Sequence, residues 1–218
     1  MKERLRLLNT SRVVFYVIGL LLVAVGIVFT KRCQWGISPD SSVPYVMELI
    51  TGWSLGTWIM LFQFANAIAQ MIILRQIKNL TIWLQFVYAI LFAFLIDFVQ
   101  LLVPTAPNTI FFRILFLAIG IICTAVGLFI LTQINIVSDP VISLVKVISK
   151  KTGKNLGTVK NIYDIALVII ALVMSLVFTH QIKALGIATV ASALLVGRVM
   201  HWCKKHIHLK EYEELFSV

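Results

Sequence analysis

The chain has 218 residues and a net charge of +10, yet 60% of it is hydrophobic and only 13% is charged. A water-soluble domain of this length keeps a charged, solvated shell that such a composition does not supply, so lipid is the expected solvent. In lipid every backbone amide must be satisfied internally, and the apolar runs are continuous rather than alternating, which excludes a barrel and predicts an all-α polytopic membrane protein.

Six spans are predicted, at roughly 12–31, 55–75, 82–103, 110–132, 159–179 and 184–202. The first follows Lys2, Arg4 and Arg6, as the core of a signal peptide would. It is long for such a core, and no small-x-small cleavage site precedes Lys31-Arg32, so a retained span is expected. Between the first and second spans, residues 39–51 are too short to cross and too apolar for a free loop; residues 140–152 repeat the situation after the fourth. Both are expected as short amphipathic helices, interfacial or re-entrant. Each opens on a capping residue followed by proline: Ser38 then Pro39, and Asp139 then Pro140.

Loop charge orients the chain. Arg12 and the three basic residues before it, Arg75 and Lys78, the group Lys146, Lys150, Lys151 and Lys154, and Lys204, Lys205 and Lys210 fall on one side. Lys31, Arg32 and Lys183 fall on the other, so both termini are expected in the cytoplasm. The same rule accounts for the net charge without nucleic acid, since basic loops meet anionic headgroups. Cys33, Cys123 and Cys203 are scattered, with neither a disulfide framework nor metal-ligand spacing.

An internal repeat organises the single membrane domain, residues 1–218, into units 12–104 and 113–205. At a constant offset of 101, Arg12 falls on Arg113, Ile18-Gly19 on Ile119-Gly120, and Ala24-Val25-Gly26 on Ala125-Val126-Gly127. Pro39 falls on Pro140, Thr51-Gly52 on Thr152-Gly153, and Leu55-Gly56-Thr57 on Leu156-Gly157-Thr158. A unit of three spans is odd, so the second copy enters from the opposite face, the inverted arrangement of many secondary transporters.

Gly36-Ile37-Ser38-Pro39, a short helix, and then G-x-x-L-G-T from Gly52 to Thr57 resemble the YczE/YyaS/YitT group of bacterial integral membrane proteins, over most of the chain in length and layout. The resemblance implies a bacterial plasma-membrane protein with a transport-like role. It names no substrate and carries over no catalytic residue.

Candidate binding residues are the polar groups inside the spans, where ionisable side chains are costly. Asp97 and its repeat mate Arg198 are expected either to pair with each other or to serve a solute or ion, with Arg198 alternatively snorkelling to headgroups. Gln63, Asn66 and Gln70 share one face of the second span, and Asp164, the mate of Gln63, lies in the fifth beside Lys160 and Asn161. These side chains either wall a cavity or bond helix to helix. Gly52, Gly56, Gly153 and Gly157 serve turns and close packing, or expose amides to a solute together with Thr57 and Thr158. No HExxH, G-x-S-x-G or P-loop is present, so no enzyme and no cofactor are expected. The expected function is alternating-access transport of a small solute, anionic on one reading. A binding subunit with an energising partner and a membrane scaffold or sensor are the alternatives. The bilayer and a small solute are the expected partners, and a homodimer is left open.

Overall fold

The computed structural model describes residues 10–76, 79–182 and 184–206. The expectations placed on Lys2, Arg4, Arg6, Lys78, Lys183 and Lys210 lie outside the described residues. The fold is helical: α1 (Thr10–Arg32), α2 (Pro39–Thr51), α3 (Leu55–Leu74), α4 (Leu80–Leu102), α5 (Ile110–Ile134), α6 (Pro140–Thr152), α7 (Leu156–Met174, continued as a π turn over Ser175–Thr179) and α8 (Ile187–His206). Among the described residues, five helices are long and apolar enough to cross a membrane: α1, α3, α4, α5 and α7 with its π turn. The exposed surface supports that reading, because residues such as Phe94, Leu101, Ile110, Phe111 and Val190 point outward where a soluble protein would place charge. Helix α8 carries Arg198 in its interior and Lys204, Lys205 and His206 in its final described turn.

The two short helices begin and end where the sequence places them. Each is 13 residues long, starts on proline and stops at a left-handed glycine, Gly52 at φ 75° and Gly153 at φ 69°. A Cβ added at either glycine would meet nothing within 4 Å. These glycines therefore serve backbone conformation and not packing. Gly52→Ala and Gly153→Ala are each expected to cost about 1 kcal/mol, the strain of a left-handed L-residue, measurable as a lowered midpoint in thermal unfolding of detergent-solubilised protein. Asp139 caps α6 as expected, accepting from the amides of Val141 and Ile142 at 2.8 and 3.1 Å. Ser38 differs: it occupies the cap position of α2, but its hydroxyl donates to Ser41 Oγ and bonds no helix amide.

The main seam of the bundle is α1 against α5. A Cβ on Gly26 would stand 2.6 Å from Thr124 N and 2.7 Å from Gly120 O. One on Gly127 would stand 2.8 Å from both Gly19 O and Val23 N. Glycine here lets two backbones touch, as small residues do where helices associate without a hydrophobic driving force. Gly19 meets Gly127 and Gly26 meets Gly120, so the two helices run antiparallel through the contact. The buried residues Leu20, Val23, Ala24 and Ile27 then pack with Leu55, Ile59, Phe92 and Ile96 as the core. Around the seam, α2 packs on α7 and α6 packs on α3, so each short helix lies against a long helix of the other half of the chain.

Contacts at the helix ends sort into two ends of the bundle. At one, Arg32 bonds Gln100 O and Thr105, Arg113 bonds Gln34, and the amides of Ile37 and Ala188 bond Ala184 O and Trp35 O. At the other, Tyr16 bonds Val137 O and Gln70 bonds both Gln85 and Pro140 O.

Candidate functional site

Asp139, at the N-terminus of α6, is the centre of the buried polar groups. Its Oδ1 takes the two helix amides, while its Oδ2 accepts from Tyr88 OH at 3.1 Å and from Gln63 Nε2 at 3.4 Å. Tyr88 and Gln63 are both 3% exposed. Gln63 precedes the Leu74 end of α3 by a rise of roughly 16 Å, about half the hydrocarbon thickness of a bilayer. The N-terminus of α6 thus reaches into the body of the bundle. Gln63 Oε1 is buried with no donor among the described residues.

Asp40, in the first turn of α2, lies close enough to Asp139, Lys160, Tyr163 and Asp164 for their charges to interact. The N-termini of the two short helices therefore converge, and each carries a carboxylate where the helix dipole is positive. Asn66 accepts from Tyr163 OH at 2.6 Å and donates to Phe62 O. Gln70 exchanges hydrogen bonds with Gln85 and also donates to Pro140 O. The buried face Gln63, Asn66 and Gln70 thus ties α3 to α4, α6 and α7. Asp164 pairs with Lys160 one turn away on α7, while Asn161 is exposed. A cleft of about 140 Å³ between α5 and α6 reaches Asp139 past Thr132, Asn135, Ser138 and Lys146.

Asp97 belongs to a second group. Its Oδ2 accepts from Ser54 Oγ at 2.6 Å and its Oδ1 from the Gly56 amide at 2.9 Å, so it anchors the start of α3. Ser54 in turn caps the Thr57 amide and meets the Thr57 hydroxyl. A Cβ on Gly56 would stand 2.4 Å from Ala93 O and 2.6 Å from Asp97 Cγ, so this glycine admits the carboxylate. Arg198 stands exposed on α8 and does not pair with Asp97. Beside Asp97, Lys31 bonds Glu48 at 2.6 Å and Gln100, clasping α1, α2 and α4 together. The equivalents in the second half are Thr132, Ser149 and His201, which do not reproduce the clasp. Gly157 gives its amide to Asn155, and Thr158 is exposed.

The sequence marks Asp139 as a cap but not as a hub, and it does not distinguish Tyr88, Gln85, Glu48 or Gln100. The spacing of Gln85 and Tyr88 on one face of α4 was the available signal. A family of unknown function (DUF6198) has a model that matches residues 10–205, and the chain belongs to that family. No curated protein and no solved structure matches it.

Proposed function

We propose that the chain is a six-span carrier of the bacterial plasma membrane, built from two inverted repeats, that moves a small solute by alternating access, with both termini in the cytoplasm. The observation that carries this is the antiparallel crossing of the repeat-equivalent helices α1 and α5 at Gly19–Gly127 and Gly26–Gly120. Helices at equivalent places in the two halves run in opposite directions, as an inverted duplication requires. The boundaries of α2 and α6, and the starts of α3 and α7, are 101 residues apart, which fits the same duplication. So does the left-handed pair Gln34 and Asn135.

In this reading α8 is the sixth crossing. Its 20 residues give about 30 Å of rise, enough for the hydrocarbon core, and Arg198 is within reach of the headgroups by snorkelling. The resemblance to the YczE/YyaS/YitT group supports a transport-like role. The solute site is where the N-termini of α2 and α6 converge, around Asp40, Gln63, Asn66, Asp139 and Tyr163. Asp40 and Asp139 already occupy the positive ends of both short helices, so the site favours a neutral or cationic solute over an anionic one.

A thermal-shift screen of the detergent-purified protein tests this against carboxylates, amino acids, vitamins and organic cations. A ligand of the folded state raises the unfolding midpoint by mass action. A saturable shift with a cationic or neutral compound, weakened in Asn66→Leu, is the expected result. A shift with carboxylates alone, or a flat screen, contradicts the assignment.

A further inference from the structure

Gln63 presents an unusual combination: a side-chain amide 97% buried, its Nε2 only loosely engaged, and its Oε1 with no partner. The 3.4 Å from Nε2 to Asp139 Oδ2 is long for a donor facing a carboxylate, where 2.7–2.9 Å is usual. An orphaned buried acceptor costs free energy, and it sits beside a carboxylate whose Oδ2 has only this amide and the Tyr88 phenol as donors, Oδ1 being held by the two helix amides. The donor that would serve it is a carboxylic acid O–H. A side-chain amide suits both states of such a neighbour, because a half-turn changes the end it offers from donor to acceptor.

We propose that Asp139 is the proton-binding carboxylate of this chain, donating its acid proton to Gln63 Oε1, and that the coupling ion of the carrier is H⁺. The second clause rests on the transport reading above; the first does not. Solvent water supplies the proton through the cleft beside Asn135, Ser138 and Lys146, hydronium giving it to Oδ2 and leaving as water. The charged and titratable groups around the carboxyl are Asp40 on α2, Tyr16 on α1, Tyr88 on α4, Lys160 and Tyr163 on α7, and Lys146 on α6 itself. Burial pushes the Asp139 carboxyl above the usual range, and Asp40 adds to it; the amides of Ile142 and Val141 and the Tyr88 hydroxyl act against them.

Asp139→Asn separates charge from architecture, because asparagine caps a helix about as well as aspartate. Infrared difference spectra of purified protein, titrated with acid, are expected to show a carboxylic-acid C=O band with a midpoint above the ordinary aspartate value of about 3.9. The band should be lost in Asp139→Asn. Tyr88→Phe removes a hydrogen bond that favours the carboxylate, so it should raise the midpoint, and it serves as the check if Asp139→Asn is poorly folded. A band that persists in Asp139→Asn, or a midpoint unmoved by Tyr88→Phe, overturns the proton assignment. The assigned band together with a flat ligand screen leaves the proton site standing and removes the carrier function alone.

Discussion

Gly26→Val is expected to abolish recovery of monodisperse protein, and Gly26→Ala to lower stability by about 1–3 kcal/mol, the cost of overpacking a close contact. The first methyl group already intrudes on Thr124 N and Gly120 O, both backbone atoms of α5 that cannot swing aside as a side chain would. Gly127→Ala should behave alike, since its Cβ meets Gly19 O and Val23 N. Gly197→Ala on α8 is the control: its Cβ meets nothing within 4 Å, and in a helix interior the change should be neutral or stabilising by up to about 1 kcal/mol. Size-exclusion profiles after graded heating measure all of these. Equal losses at Gly26 and Gly197 would show that the α1–α5 seam carries no special share of the stability.

Asp97→Ala is expected to destabilise the protein by about 1–3 kcal/mol, because it leaves the Ser54 hydroxyl and the Gly56 amide without their acceptor. Asp97→Asn should cost less, since its amide oxygen can still accept from Gly56. Arg198→Ala, at an exposed position, should lie within about 0.5 kcal/mol of the parent protein. The ordering Ala, then Asn, then Arg198→Ala in thermal unfolding distinguishes an anchor of α3 from an ion-pair partner. An Arg198→Ala variant as unstable as Asp97→Ala would contradict it.

Much of this architecture was legible in the sequence because it is local. Proline after a capping residue marked the starts of α2 and α6, and glycine marked their ends, since only the residue types at those positions decide the turn. Apolar length marked the long helices, although the fifth begins at Leu156, one turn ahead of the predicted 159, because Asn155 caps it through the Gly157 amide. The polar stripe Gln63, Asn66 and Gln70 was legible from spacing, but not what it touches. Its partners Gln85, Asp139 and Tyr163 come from three other elements, and no local pattern encodes such contacts between distant parts of a chain. Asp97 is legible as an acid inside an apolar run, but the amide it anchors lies on another helix and no local pattern shows it.

Inversion of the two halves is the claim on which the carrier rests, and labelling of repeat-equivalent positions tests it most directly. Trp53 and Lys154 are exposed, 101 residues apart, in the short connections between α2 and α3 and between α6 and α7. Single cysteines at these two sites, with Cys33, Cys123 and Cys203 replaced by serine, would be treated in intact cells with a membrane-impermeant maleimide. Opposite insertion predicts that Trp53→Cys is labelled from outside and Lys154→Cys only after the cells are permeabilised. Labelling of both from the same side would contradict the inverted repeat, and alternating access between the two halves with it.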